Sequence, residues 1–148
     1  MFSNDVGLLA SQYGNEIQLN ILKHETSINF GAIYENVAAE ELSAHGYSIY
    51  YYNSKKFGEI DFLIEEKQKV ILIEIKSGKN YYRHNAMNHV LNNESYDIDN
   101  GYIFCNGNVE CKGKVTYFPI YMLMFLQKKE LPREIIFDSD FSDINNLV

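Results

Sequence analysis

Two periods of hydrophobic and polar residues alternate along the chain, and the switches between them mark its elements. From Phe30 to about His45 the apolar residues Ile33, Tyr34, Val37, Ala38 and Leu42 recur at helical spacing, and Gly46 supplies a stop. Tyr47 to Asn53 is aromatic and β-branched, a strand by composition. Glu59 to Glu65 and Lys69 to Ser77 are two more strands, divided by the polar stretch Glu66-Lys67-Gln68. The helical period returns over His84 to Leu91, with Ala86, Met87, Val90 and Leu91 on one side. Gly101–Cys105 and Val115–Phe118 read as short strands, and Pro119 fits the first turn of a helix over Ile120–Gln127. Ahead of these, Asp5–Tyr13 reads as a short amphipathic helix closed by Gly14. Asn15–Ser27 is ambiguous, a strand around Ile17–Leu22 being one reading.

A helix, three successive strands, a helix and a strand imply a mixed sheet flanked by helices, hence an α/β fold. Residues 1–130 read as a single domain and 131–148 as an acidic C-terminal tail or peripheral segment. Composition agrees with one globular unit: 148 residues, 46% hydrophobic and 22% charged, exclude a disordered chain. No apolar run approaches the roughly 18 residues that cross a bilayer. The start, Met1-Phe2-Ser3-Asn4-Asp5, has no secretory pattern, and two cysteines without C-x-x-C spacing make neither a disulfide scaffold nor a zinc site. The expectation is a reduced, cytoplasmic protein.

Charge changes the picture in one place. The net charge of −7 argues against a protein that coats nucleic acid with a basic surface. Residues 55–89, however, hold seven basic and five acidic side chains, net +2, against −9 for the remainder. One segment is thus equipped to meet phosphates, although solvated lysines on a hairpin give the same count.

That segment contains the hairpin with the most chemistry. A turn centred on Lys67 and Gln68 sets Asp61 opposite Glu74 and Glu59 opposite Lys76, and strand alternation then puts these four on one face. The other face carries Ile60, Phe62, Ile64, Ile71, Ile73 and Ile75. Leu63, Val70 and Leu72 share the charged face, so the strands are apolar on both sides and interior, with the carboxylates in a crevice at their end. Neighbouring carboxylates repel unless protonated or bridged by a cation. Mg²⁺ takes one or two carboxylates plus waters and phosphate oxygens, and a lysine beside it orients the nucleophile. These are the parts of metal-assisted phosphodiester hydrolysis. They are also the parts of a structural ion-pair cluster, and a one-residue slip in register would scatter them.

Asp61 followed by Glu74-Ile75-Lys76, after a helix carrying Glu35, resembles the PD-(D/E)xK nuclease superfamily, whose αβββαβ core order it shares. More closely, the chain resembles the C-terminal domain of unknown function that follows the ATPase domain in bacterial and archaeal AAA+-type ATPases. The matching stretches are Asp5–Leu9, Gly31–Asn36, Gly58–Ile64, Ile73–Gly78 and Phe118–Met122. The resemblance implies a restriction-endonuclease-like fold and a Mg²⁺- or Mn²⁺-dependent nuclease acting on DNA. It makes Asp61 and Glu74 metal ligands, Lys76 the catalytic lysine and Glu35 a group orienting a metal water or a ligand. Ile60 stands where the superfamily has proline. The resemblance also implies an upstream ATPase domain missing from this chain. An inactive module for DNA binding or assembly, or a homodimer built on the apolar strands and tyrosines, satisfies the same pattern.

On a helical wheel Glu35 lies at the edge of the apolar stripe and Glu41 inside it, so periodicity does not choose between them. Lys79, Arg83 and His84 have the charge and reach for a nucleic-acid backbone, or they line a solvated helix entrance. Tyr50, Tyr51, Tyr52, Tyr81 and Tyr82 suit base stacking or strand packing. His24, His45 and His89 lack ligand spacing, and Gly78-Lys79-Asn80 lacks the first glycine of a nucleotide-binding loop.

Overall fold

The computed structural model describes residues 6–12, 14, 15, 18, 19, 23 and 30–128. Its elements are α1 (Val6–Ser11), α2 (Gly31–Ala44), β1 (Tyr50–Ser54), β2 (Gly58–Glu66), β3 (Lys69–Lys76), α3 (Asn85–Leu91), β4 (Asn100–Cys105), β5 (Glu110–Lys112) and β6 (Val115–Pro119). Two 3-10 helices, Glu94–Tyr96 and Ile120–Phe125, complete the set. The chain is a mixed α/β unit. Around the expected strand at Ile17–Leu22, the two described residues, Gln18 and Leu19, are helical, and the rest of that stretch lies outside the described residues. So does the segment 131–148.

The strands form one six-stranded sheet in the order β1-β2-β3-β4-β6-β5. β2 runs antiparallel to both of its neighbours, β1 and β3, whereas β3, β4 and β6 are parallel. The β2–β3 turn has both central residues at positive φ, Lys67 at 52° and Gln68 at 64°. That conformation matches the right-handed twist of a two-residue hairpin. The pairs Glu66–Lys69 through Phe62–Ile73 follow from it, in the register expected from the sequence.

Alternation along β3 divides the core between the two faces of the sheet. Ile71, Ile73 and Ile75 pack with Ala38, Ala39 and Leu42 of α2. Leu72 instead joins Met87, Val90 and Leu91 of α3, with Ile103 of β4 and Tyr117 of β6. Helix α3 is seated by Gly101 on β4: a Cβ there would meet the Met87 sulfur at 2.6 Å, so any other residue would displace that side chain. Helix α2 ends as expected, with Gly46 at φ 82° just past its last turn.

Candidate functional site

One irregularity in β2 builds the site. Between the pairs Tyr50–Leu63 and Tyr52–Ile60, β1 contributes only Tyr51 while β2 contributes both Asp61 and Phe62. This is a β-bulge, which interrupts alternation and re-aims a side chain. Its effect shows in the core. Ile60 packs in the α3 cluster and Phe62 in the α2 cluster, two residues apart on opposite faces. The sequence expectation that Ile60 shares a face with Phe62, and that Glu59, Asp61, Glu74 and Lys76 share the other, is therefore corrected. Alternation from Ile60 carries Glu59 to the α2 side, where its carboxylate accepts a hydrogen bond from the Asn53 amide at 3.3 Å.

The carboxylate of Asp61 turns toward β3. Its Oδ2 accepts the Ile75 backbone N–H at 2.7 Å, continuing by side chain a ladder whose last backbone pair is Phe62–Ile73. Two residues along β3 from Leu72 and therefore on the α3 face, Glu74 is 2% exposed. Its Oε2 lies 2.7 Å from the ammonium of Lys76, whose side chain is 32% exposed. Glu74 is thus sealed and Lys76 opens to solvent.

Burial and repulsion govern the protonation of this group. Burial pushes the Asp61 carboxyl up, and the charge of Glu59 adds to it, against the Ile75 N–H and Lys76. Burial pushes Glu74 up as well, with Asp61 adding and Lys76 opposing. For Glu35, burial and then the charge of Asp61 raise the carboxyl, and Lys76 pulls it back. Burial works against the charge of Lys76, but Glu74, Asp61 and Glu35 outweigh it and the ammonium is held above its usual range. Four carboxyl groups, Glu35, Glu59, Asp61 and Glu74, and the single ammonium of Lys76 are thereby linked, with negative charge in excess. Glu41 stands apart, 3.5 Å from His45 on α2.

A family model described as Domain of unknown function (DUF4143) matches residues 30–123, which include Glu35, Asp61, Glu74 and Lys76. The chain belongs to this family. No curated protein and no solved structure matches it. The family description carries no activity, so the chemistry of this DUF4143 domain has to be argued from its own residues.

The other predicted site residues separate into two environments. Lys79 and Arg83 are exposed on the loop between β3 and α3, while His84 at the end of that loop is 7% exposed. Its Nε2 shares a 2.6 Å hydrogen bond with the Tyr117 hydroxyl, and burial pushes its imidazolium below the ordinary range. Asn106, after β4, donates to the Ser77 carbonyl at 2.9 Å and ties the two loops together. Neither Tyr117 nor Asn106 carries a signal in the sequence, because each acquires its partner only through the parallel crossovers. Tyr50 and Tyr51 are exposed on the edge strand β1, whereas Tyr52 packs against the α3 cluster.

The donor set bears on which metal fits. Among the described residues no group of three or more His, Cys, Asp and Glu side chains is arranged to hold an ion. A closed tetrahedral site of the zinc type therefore has no basis here. Asp61 and Glu74 offer hard oxygens, both raised by burial and by a neighbouring carboxylate, Glu59 for Asp61 and Asp61 for Glu74, a strain that a divalent cation would relieve. Two carboxylates suit an ion that completes its shell with water and phosphate oxygens, as Mg²⁺ does.

Proposed function

We propose that this DUF4143 domain is a metal-dependent nuclease module of restriction-endonuclease type, hydrolysing phosphodiesters in DNA as part of an AAA+-type ATPase. The observation that carries the reading is the bulge at Asp61–Phe62: it turns a second carboxylate toward β3, beside the buried Glu74 and its partner Lys76. Asp61 and Glu74 would hold Mg²⁺ or Mn²⁺, and the bound ion would lower the pKa of a water and offset charge developing on phosphorus. Lys76 is the solvent-facing member of its pair, suited to orient the attacking water or to hold a phosphate oxygen. Glu35, raised by burial and by Asp61, is suited to accept a proton or a hydrogen bond at the rim. Lys79 and Arg83, exposed on the loop that leaves Lys76, give the backbone of the nucleic acid its contacts.

The test is nicking of supercoiled plasmid and of branched DNA with Mg²⁺ or Mn²⁺, by wild type and by the Asp61→Ala and Lys76→Ala variants. Wild type is expected to cut and both variants to lose at least about a hundredfold, the scale of one lost electrostatic or proton-transfer contribution. Equal cutting by all three would assign the activity to a contaminant. A second reading, a nuclease-fold module that binds DNA or assembles a complex without cleaving, is favoured by the net charge of −7 and by the Lys76 ammonium being engaged with Glu74. It expects no cleavage and no metal binding at low millimolar concentration, with any DNA shift surviving Glu74→Gln.

A further inference from the structure

Beyond Glu74, the α3 face of the sheet holds a row of residues that neither the metal nor the lysine chemistry uses. Glu74 on β3 pairs laterally with Ile103 on β4, Ile103 with Tyr117 on β6, and Tyr117 with Glu110 on β5. Two strands from Glu74, the Tyr117 hydroxyl holds His84, the residue immediately before α3. At the far side of the same helix start, Met87 is fully buried over Gly101. Met87 packs in one cluster with Leu72 of β3, and Glu74, two residues further along that strand on the same face, is 2% exposed. The first turn of α3 is thus fastened at His84 and lies on the sheet face that buries Glu74.

We propose that the His84–Tyr117 pair is a positioning device: it pins the start of α3 to β6, and the pinned turn holds the Glu74 carboxylate against Lys76. Neither residue touches the reacting atoms. A hydrogen bond between two buried groups serves this role better than an apolar contact, since its direction fixes the rotation of the helix start as well as its distance. His84 is suited to it because burial keeps the ring uncharged. The Tyr117 ring stays packed whatever happens to its hydroxyl, between Tyr81, Tyr82 and His84. Hydroxyl and ring are thereby separable by substitution.

This inference deepens the nuclease reading by naming what positions one of its carboxylates, and rests on that reading only for the consequence at the metal. The test is Tyr117→Phe in the full chain, with His84→Asn as a second variant that keeps a short polar side chain ahead of the helix. Two readouts need no metal: amide hydrogen exchange of residues 85–88, and solvent exchange of the Lys76 ammonium by ¹⁵N NMR. Tyr117→Phe is expected to speed both by about tenfold, the scale of one net hydrogen bond, while amides of β2 and β3 stay as in wild type. A uniform rise across the sheet would mark a global loss of stability and overturn the assignment, as would unchanged exchange at Lys76. A Mn²⁺ titration by calorimetry adds the consequence: several-fold weaker binding in both variants supports the proposal. Wild-type affinity in Tyr117→Phe overturns it. Absence of Mn²⁺ binding in wild type would sink the nuclease reading alone, the two exchange measurements still deciding the pin.

Discussion

Replacing Lys76 with methionine isolates what the ion pair contributes, because methionine keeps most of the aliphatic stem and drops the ammonium. The variant leaves Glu74, 2% exposed, without the cation 2.7 Å from its Oε2. Removing one partner of a wholly buried pair costs about 3–5 kcal/mol, and an exposed pair is worth about 0–1 kcal/mol. With Lys76 at 32% exposure, the expected loss lies between, about 2 kcal/mol. In a domain of this size that lowers Tm by about 4–8 °C. The loss must also depend on pH, and in a definite direction. Burial already holds the folded Glu74 carboxyl above its ordinary value, and the lysine opposes that rise. A carboxyl raised on folding binds its proton more tightly in the native state, so stability falls as pH climbs from the ordinary carboxylate range through the raised folded value. Without Lys76 that window widens upward. Thermal unfolding by circular dichroism should show Lys76→Met close to wild type near pH 4 and fully destabilised at pH 8. Adding Glu74→Gln should recover most of the loss at pH 8, since no buried charge is then left alone. An equal deficit at both pH values, or a double variant no better than the single, would assign the effect to lost packing and refute the electrostatic argument.

Two further outcomes follow from packing and hydrogen bonding. Gly101→Ala drives a methyl into the Met87 sulfur at 2.6 Å and Leu91 at 3.1 Å, so a melt should show overpacking of about 1–3 kcal/mol; an unchanged Tm would mean that α3 is free to shift. Asp61→Ala strips the acceptor from the Ile75 N–H and should cost about 1–3 kcal/mol in urea unfolding. Asp61→Asn keeps an amide oxygen for that N–H and should cost measurably less, and equal losses would argue that the 2.7 Å bond contributes nothing.

The hairpin was legible because three independent signals agree on it. The polar turn at Lys67-Gln68, the alternating isoleucines and the facing Glu66 and Lys69 all specify one register, and that register is observed. The bulge was not legible, since Ile60-Asp61-Phe62 reads as unbroken alternation and the extra residue is defined only by what β1 offers across from it. β5 was missed for a related reason. Glu110-Cys111-Lys112 has two charges and no apolar period, and it becomes a strand only because β6 presents an open edge. The helix expected over Ile120–Gln127 starts at the expected residue but is a shorter and tighter 3-10 helix, Ile120–Phe125. For Glu35 and Glu41 the wheel reports direction around α2 and nothing about position along it. Six residues are about 9 Å of helix axis, which separates a carboxylate that feels Asp61 from one that meets His45.

That distinction bears on why the cluster exists at all. A Glu74–Lys76 pair at the end of an interior strand is ordinary, and by itself it argues for architecture as well as for chemistry. Asp61 is different. It approaches β3 only because β2 gives up one step of its alternation, moves Ile60 to the opposite face and ends the backbone ladder at Phe62–Ile73. The carboxylate so placed adds like charge to Glu35 and Glu74, raising both. A bulge that interrupts pairing in order to concentrate repelling groups opposes stability at neutral pH. Local structure that conflicts with stability in this way clusters at functional sites, and it is the ground on which the proposed metal site rests. The excess of negative charge over Lys76 defines what would relieve the conflict: a species carrying positive charge and content with oxygen ligands.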